Sequence, residues 1–329
     1  MSTTAINRSF GLKLNPFSKD VPDEGLVALP HTDYFVRRVE RLVDEGGFAM
    51  VTGEPGVGKS VVMRLLHCAL KQRRDVTVAR LDRPQSSVAD FYRELGDAFA
   101  VTVGASNRWG GFRTLRERWR STIENKLVRP VLLVDEAQEI PEAVMSEIRI
   151  LSSDDFDSCS LLTVVFAGDS RLATNLGTPA LQPLDSRMRL KLALQALPTA
   201  TLVEATSELC TKAGNANLVT SGLAQTLADH AHGNFRALMN VANELLLEAY
   251  EKKARTRAEI IAEVEQSFAF LKKAMADTPD AKMDQTMKMF GRESSVRTTW
   301  VMTVTHVHEH LGQLIAYARS NKVTPPWSK

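Results

Sequence analysis

The chain has 329 residues, a length that fits one large domain or two modest domains with a buried core of ample size. Hydrophobic residues make up 44% and charged residues 24%, which excludes a wholly disordered chain, a collagen-like fibre and a coiled coil. The 41 basic and 39 acidic side chains leave a formal net charge of +2. This balance excludes nucleic-acid binding through overall charge, so any such contact must be local.

Features that report on cellular location favour the cytoplasm. Three widely spaced cysteines without a CxxC pair fit a reducing compartment. No apolar run approaches the roughly 18–20 residues that a membrane span needs, and the first residues lack the apolar centre of a signal peptide. We therefore expect a cytoplasmic protein with no membrane partner.

The first 31 residues are predicted to form an N-terminal arm that lies against a domain. Helix and strand breakers separate isolated apolar residues there, at Pro16, Pro22, Gly25 and Pro30. Apolar residues then recur at helical spacing from Thr32 to Val43, and two glycines stop the helix. A short apolar strand from Phe48 to Thr52 follows directly.

The most informative motif follows this strand and matches the pattern G-x-x-x-x-G-K-[ST] in full. It consists of Gly53, Glu54, Pro55, Gly56, Val57, Gly58, Lys59 and Ser60, and an apolar helix begins at Val61. Glycines let backbone N–H groups turn inward around phosphates, and the helix N-terminus adds its positive end. Lys59 would reach the terminal phosphates and the Ser60 hydroxyl would bind Mg²⁺. An ordinary glycine turn is the alternative, but the strand before and the helix after favour nucleotide binding.

A second pair of motifs lies at the ends of later strands. A strand over 76–81 and helical patterns over 88–99 and 112–127 predict crossovers of a parallel sheet. The apolar run 131–134 then ends in Asp135 and Glu136. Asp135 would hold the Mg²⁺ shell, and Glu136 would orient or deprotonate the attacking water. A strand end with merely solvated acids is the alternative.

Another strand, from Leu161 to Ala167, carries polar residues to the same edge of the sheet. Either Asp169 or Ser170 is predicted to contact the terminal phosphate, and the pattern does not choose between them. A simple Gly-Asp turn is the alternative.

The order of these motifs resembles that of the AAA+ ATPases. The sequence runs GEPGVGKS, LLVDEAQ, AGDS, LDSRMR and HGNFRAL, which in that family are Walker A, Walker B, sensor 1, the arginine finger and sensor 2. The resemblance implies that ATP and Mg²⁺ are bound and that ATP is hydrolysed. It implies that Arg187, or Arg189 in its place, reaches the nucleotide of a neighbouring copy in a homo-oligomer, and that Arg236 is the sensor 2 contact. A solvated helix charge is the alternative for each arginine.

Residues from about 8 to 270 resemble a narrower group, the TniB-like transposition helpers and the ExeA-like secretion ATPases. The resemblance rests on FGL at 10–12, NPF at 15–17, DEAQ at 135–138 and GNFRALMNVANELL at 233–246. Secretion members usually continue into a membrane span and a cell-wall-binding region, which this sequence does not contain, so transposition is favoured.

The implied function is a helper that assembles on double-stranded DNA with ATP and recruits or activates a DDE transposase. An ExeA-like secretion-assembly ATPase and another DNA-associated AAA+ remodeller are the alternatives. A nucleotide-gated binding module without hydrolysis is a third, against which the presence of Glu136 argues.

One segment, residues 108–129, concentrates positive charge. It holds seven cations against two acids, with Trp109, Phe112 and Trp119 between them. Such a segment can contact DNA phosphates. The alternative is a helix with core aromatics and a solvated arginine face, because Phe112, Leu115, Trp119 and Ile123 recur at helical spacing.

Together the elements predict an α/β fold, a P-loop NTPase (AAA+) parallel sheet flanked by helices. This nucleotide-binding domain is expected over 32–197, an α-helical lid over 198–273, and a linker with a short helical appendage over 274–329.

The tail contains a predicted helix from Thr298 to Ala318 in which His306 and His310 lie on one face and can share a divalent metal. Residues from about 282 to 328 resemble the end of a DinB-like metal-binding protein, and the resemblance implies a third histidine from an earlier helix. The segment is too short to supply those helices, so a fusion scar is the alternative. In that case the tail would be an amphipathic helix on the lid or an appendage.

Overall fold

The computed structural model describes residues 3–81, 87–102, 108–252, 257–289 and 292–306. The chain divides into two compact units, Met1–Lys252 and Lys253–Lys329. The domain boundaries expected at residues 31, 197 and 273 stay predictions. Of the helices in the expected lid, three belong to the first unit and the last belongs to the second.

Strands and helices alternate through the first unit. The strands of the whole chain are β1 (Gly47–Thr52), β2 (Val76–Leu81), β3 (Arg129–Val134), β4 (Ser153–Asp154), β5 (Cys159–Ser160), β6 (Thr163–Gly168), β7 (Met188–Ala193), β8 (Thr286–Met289) and β9 (Arg292–Ser295). The α-helices are α1 (Thr3–Ser9), α2 (Thr32–Glu45), α3 (Lys59–Gln72), α4 (Val88–Ala98), α5 (Arg108–Lys126), α6 (Glu142–Ser152), α7 (Ser170–Leu176), α8 (Gln182–Asp185), α9 (Thr199–Lys212), α10 (Ser221–Ala231), α11 (Phe235–Lys252), α12 (Arg257–Ala276) and α13 (296–306). Short 3₁₀ helices lie at Asp23–Gly25, Ala137–Glu139, Asp155–Asp157 and Asp280–Lys282.

A five-stranded parallel sheet is the centre of the first unit. Its strand order is β2-β3-β6-β1-β7, and every pair is parallel. Strands β1 and β6 are buried along their whole length, as expected for a parallel sheet with helices on both faces. The predicted α/β architecture with a parallel sheet is confirmed.

Strand β7 and helix α6 have no counterpart in the sequence-based prediction. Strand β7 lies at the sheet edge, and its burial alternates, so it lacks the continuous apolar run that marks the central strands. The antiparallel pair β4 and β5 has two residues in each strand, which is too short to leave a periodic pattern.

Three apolar clusters hold this unit together. Helices α4, α5 and α6 cover one face of the sheet, and α2 and α3 cover the other. The third cluster joins α9, α10 and α11 to the N-terminal arm, whose Ile6, Phe17 and Leu29 are each less than 5% exposed. The arm is therefore part of a core and does not merely lie on a surface.

Most of the basic segment 108–129 forms helix α5, which ends at Lys126 and is mainly a packing element. Leu115 and Trp119 are buried, and Trp119 packs edge-on against Phe99 with ring centroids 5.2 Å apart. Four of its cations are in ion pairs: Arg108 with Glu147, Arg113 with Glu117, and Arg116 and Arg120 with Asp154. These contacts favour the alternative interpretation, core aromatics with an arginine face, over a free cationic surface.

A buried polar contact beneath α5 gives a stability prediction. Glu147 is 6% exposed and accepts a 2.7 Å hydrogen bond from the Tyr92 hydroxyl, whose pKa is raised by burial. Replacing Glu147 by Ala leaves that hydroxyl buried without its partner, so we expect unfolding free energy to fall by about 1–3 kcal/mol. Urea unfolding followed by tryptophan fluorescence measures this decrease.

The matched control for this substitution is Glu142→Ala, at an exposed position of the same helix, which should change stability by less than about 0.5 kcal/mol. Adding Tyr92→Phe to Glu147→Ala should cost little more, because the unpaired hydroxyl is then gone. Equal decreases for the Glu142 and Glu147 variants would contradict the assignment.

The second unit contains α12, the antiparallel hairpin β8–β9 and α13. His306 lies in α13, whereas His310 lies outside the described residues, so their metal binding stays a prediction. Within the described residues, no cluster of three or more His, Cys, Asp or Glu side chains is arranged to hold a metal ion. Among the helices of that same part of the chain, none combines the length and the apolar character of a membrane span.

Candidate functional site

Three strand ends converge at the carboxyl edge of the sheet. Strand β1 runs beside β6 with Thr52 opposite Gly168, and β3 runs beside β6 with Val134 opposite Phe166. The residues that follow these strands are Gly53, Asp135 and Asp169. The sheet therefore brings together the three motifs that the sequence predicts at one site.

The loop after β1 has the geometry of a phosphate cradle. Gly56 and Gly58 have φ angles of +90° and +111°, which side-chain-bearing residues rarely adopt. A Cβ atom on Gly56 would lie 2.2 Å from Oδ1 of Asn234, and one on Gly58 would lie 2.2 Å from Cδ1 of Leu29. Both glycines are thus required by conformation and by space.

Lys59 begins helix α3 and folds back over this loop. It is 8% exposed, and its Nζ donates hydrogen bonds to the carbonyl oxygens of Gly53 at 2.7 Å and Glu54 at 3.2 Å. The buried ammonium and the helix N-terminus place positive charge in the curve of the loop. An anion of the size of a phosphate chain fits these groups.

Two acids follow β3. Asp135 Oδ1 accepts the Glu136 N–H at 2.9 Å, and Glu136 has left-handed backbone angles of φ 50° and ψ 40°. Burial raises the pKa of Asp135, whereas the positive charges of Lys59 and Arg236 oppose that rise. Ser60 and Asp135 line one cavity and offer a hydroxyl and a carboxylate, the oxygen ligands that suit Mg²⁺.

Asp169 caps helix α7 and faces the same site. Its carboxylate accepts the backbone N–H of Arg171 at 2.9 Å and is paired with the Arg171 guanidinium, which lowers the pKa of Asp169. Asp169 lines a second cavity, which also contains Lys59 and Glu136. Of the two residues that the sequence leaves open, Asp169 is the one with this observed placement.

The start of α11 docks directly on the cradle. Asn234 Nδ2 donates to the Pro55 carbonyl at 3.0 Å, and the Arg236 backbone N–H donates to the Gly56 carbonyl at 2.9 Å. The Arg236 side chain is exposed and lines the same cavity as Lys59. The structure therefore brings the predicted sensor 2 arginine to the loop.

The cavity that includes the cradle has a total volume of about 530 Å³, and the part with apolar walls forms an apolar chamber beside the loop. Its apolar walls come from the arm and from the helices after the sheet, with Phe17, Val21, Val27, Leu209 and Met239 among them. A volume of this size, apolar with charged groups at one end, suits a nucleoside whose phosphates extend to the loop. The sequence pattern of apolar residues between prolines predicts that the arm packs on a domain, but it does not assign these residues to the site.

Arg187 and Arg189 lie at the other end of the sheet. Met188, between them, is paired with Phe48 at the amino end of β1, whereas the cradle follows the carboxyl end of that strand. Arg187 Nε donates to Asp157 Oδ2 at 2.8 Å, and Arg189 is paired with Glu45. The structure does not bring either arginine to the cradle of its own chain.

Comparisons with known proteins agree with this geometry. Residues 41–176 match the family described as AAA domain. The fold resembles Cdc6p from Pyrobaculum aerophilum, with 14% identity over 72% of this chain and 65% of that chain and a TM-score of 0.57. Residues 41–176 are thus similar to AAA domains, and the fold is that of a P-loop NTPase. The ORC1 protein of Aeropyrum pernix, solved in complex with DNA, is similar too, with 17% identity over 80% and 72% of the two chains and a TM-score of 0.56.

A curated relative is closer in sequence. General secretion pathway protein A of Aeromonas hydrophila is 32% identical over 190 residues, which are 54% of this chain and 32% of that protein. The match thus spans about a third of the relative's length. The predicted P-loop NTPase fold and the ATPase class are confirmed, and sequence relationship to the ExeA-like side of the resemblance is supported in part.

Proposed function

We propose that this AAA domain couples ATP binding and hydrolysis to the assembly of copies of the chain on double-stranded DNA. The assembly would recruit or activate a DDE transposase in the cytoplasm. The observation that carries the proposal is that the cradle and Arg187 lie at opposite ends of β1, the cradle at its carboxyl end and Arg187 near its amino end. An arginine so placed serves a neighbouring copy, and assembly then becomes a condition of hydrolysis.

The reaction follows from the groups at the strand ends. The cradle and Lys59 bind the phosphates, while the apolar chamber holds the nucleoside. Ser60 and Asp135 would hold Mg²⁺, which neutralises phosphate charge when bound. Glu136 orients the water for attack on the γ-phosphate and takes its proton. Asp169 and Arg236 line the same space and complete the contacts of the terminal phosphate.

Completion of the site by a second copy depends on Arg187. A guanidinium is a permanent forked cation, and it stabilises the charge of a transferring phosphoryl group. In the single chain Arg187 is held by Asp157 and by the Pro183 carbonyl. Assembly would exchange these partners for phosphate oxygens of the neighbour.

Contact with DNA is supported by two exposed cations, Lys71 and Arg80, that line the same cavity as Ser60 and Asp135. The cavity has a volume of about 670 Å³, and its third permanent cation, Arg64, is paired with Asp23. Burial, and next the charges of Lys71 and Arg80, lower the pKa of His67, so the positive charge of this space comes from Lys71 and Arg80 and not from the imidazole. Lys71 and Arg80 are exposed and can meet phosphates of a duplex.

The DNA contact is tested by charge reversal. In the presence of a non-hydrolysable ATP analogue, Lys71→Glu combined with Arg80→Glu should weaken duplex binding at least tenfold. The slope of log affinity against log salt should also fall by about 0.9 for each phosphate that the variant no longer neutralises. Fluorescence anisotropy with labelled duplex over a salt series measures both.

The matched control is Arg118→Glu combined with Lys126→Glu, which makes the same charge change at exposed positions of α5. This pair should leave the affinity and the slope close to those of the wild type. If only the control variant loses duplex binding, the DNA contact lies on α5. A wild-type chain that binds no duplex would contradict the DNA part of the proposal.

A second candidate is a secretion-assembly ATPase, which the 32% identity to general secretion pathway protein A favours. This function would use the same nucleotide site and differ in its partner. Hydrolysis by the purified chain should rise or fall with added duplex if the DNA function is right. Robust hydrolysis that is indifferent to duplex would favour the secretion function.

A further inference from the structure

Gln138 is a buried amide between the two polar strand ends of the site. It is 7% exposed and belongs to the short helix Ala137–Glu139. Its Nε2 donates to Glu136 Oε2 at 2.5 Å, and its Oε1 accepts the Asp169 backbone N–H at 3.1 Å. The two ends of one carboxamide therefore connect the catalytic carboxylate to the end of β6.

The orientation of this amide is determined by its partners. A carboxylate only accepts and a backbone N–H only donates, so exchanging the amide oxygen and nitrogen would break both hydrogen bonds. The backbone of Gln138 is also held, because Asn175 Nδ2 donates to its carbonyl at 3.3 Å. A buried amide whose oxygen and nitrogen are both hydrogen-bonded in this way keeps a single orientation.

Gly168 makes the space that this amide occupies. A Cβ atom on Gly168 would lie 2.7 Å from Gln138 Oε1 and 3.0 Å from Leu172 Cβ. No positive φ is involved at Gly168, so the requirement for glycine is one of space. The last residue of β6 must therefore be glycine, because the amide oxygen of Gln138 occupies the space where a side chain would begin.

We propose that Gln138 is a positioning residue that sets the direction of the Glu136 carboxylate according to the position of the β6 end. Glu136 sits on a left-handed backbone, and the Gln138 amide holds one of its two carboxylate oxygens. A shift of Asp169 moves the amide oxygen, and the amide nitrogen transfers the shift to Glu136. Phosphate contact at Asp169 and alignment of the attacking water become linked. The inference rests on the hydrolytic role proposed for Glu136.

The first test separates turnover from binding. Gln138→Leu removes both hydrogen bonds, and Gln138→Glu keeps the shape and the acceptor but places a second carboxylate against that of Glu136. Both should lower kcat for ATP about tenfold to hundredfold, the scale of a misdirected catalytic group, with KM and the ATP dissociation constant within twofold of wild type. A residue that only supports the fold would instead change ATP affinity and thermal stability.

The second test is a double-mutant cycle. If Gln138 acts through Glu136, Gln138→Leu should lower the single-turnover rate less than twofold in a Glu136→Gln background. Gly168→Ala displaces the amide without altering it and should reproduce the decrease in kcat. The control is Gln225→Glu, because Gln225 also donates to a carboxylate, that of Asp229 at 3.0 Å, on the exposed face of α10. Its kcat should match the wild type.

The variants also give results that would overturn the positioning role. One such result is a wild-type kcat in Gln138→Glu. The other is that Gln138→Leu lowers the single-turnover rate equally in the wild-type and the Glu136→Gln backgrounds. If Gln138→Leu does not fold, the kcat values of the isosteric variant Gln138→Glu and of Gly168→Ala test the same role. A wild-type chain that hydrolyses no ATP under any condition would contradict the proposed function itself and not the positioning role alone.

Discussion

Glu136→Gln is expected to lower ATP turnover by about 10²–10⁴-fold while ATP binding stays within twofold of wild type. The substitution keeps the size of the side chain and removes the base that would accept the proton of the attacking water. Because the side chain keeps its size, the cradle and the apolar walls of the cavity should keep their positions. Steady-state phosphate release and titration with a fluorescent ATP analogue measure the two quantities.

Lys59→Ala is the contrasting variant. It removes the buried ammonium that lies over the cradle, so binding of the phosphates and turnover should both be abolished. Failure of Glu136→Gln to bind ATP, or normal turnover in it, would contradict the role of Glu136. In the proposed assembly, Glu136→Gln should form ATP-dependent complexes on duplex DNA, and Lys59→Ala should not.

The core of the site could be predicted because each motif is continuous in sequence. The glycine loop is fixed by its own residues, and parallel strands bring their carboxyl ends to one edge. Thus the octet Gly53–Ser60 and the acids Asp135 and Glu136 can be assigned to one site from their sequence patterns alone. The order of the five strands could not, because pairing depends on packing between distant segments.

Contacts between distant segments explain what sequence reasoning missed. The arm supplies Phe17 and Val27 to the apolar chamber, and this requires knowing that it packs with α9 and α11. The amide of Gln138 is likewise noticed in the sequence only as part of DEAQ. Its role depends on Asp169, which lies 31 positions away in the chain. Neither contact leaves a periodic signal.

A cluster of charged residues in the sequence is equally insufficient to predict a binding surface. Seven cations in 22 residues indicate a nucleic-acid surface as readily as a solvated helix face. Ion pairing decides between these, and Asp154 comes from another element to pair with Arg116 and Arg120. The cations around the nucleotide site, by contrast, come from α3 and β2 and form no run in the sequence. Local charge is therefore informative only after the fold places its partners.

Arg187→Ala is expected to reduce ATP turnover by about 10³-fold or more, on the scale of an arginine finger, with ATP binding by each chain intact. The reason is geometric. Arg187 lies by the amino end of β7, away from the cradle of its own chain, and in the proposed assembly it is the group that completes the neighbour's site. The control is Arg189→Ala, whose side chain is paired with Glu45, and which should keep most of the activity.

Mixing two inactive variants tests this action between copies. An Arg187→Ala chain retains an intact cradle but lacks the finger, whereas a Glu136→Gln chain binds ATP and keeps its finger but lacks the catalytic base. Where the second lies beside the first, it supplies its Arg187 to the intact cradle, so the mixture should regain part of the wild-type rate. Recovery should rise with protein concentration, because it depends on assembly. Full activity of Arg187→Ala alone would refute the finger. If Arg189→Ala is inactive and recovers activity on mixing, Arg189 is the finger instead. If the mixture is as inactive as its parts, no residue is shared between copies.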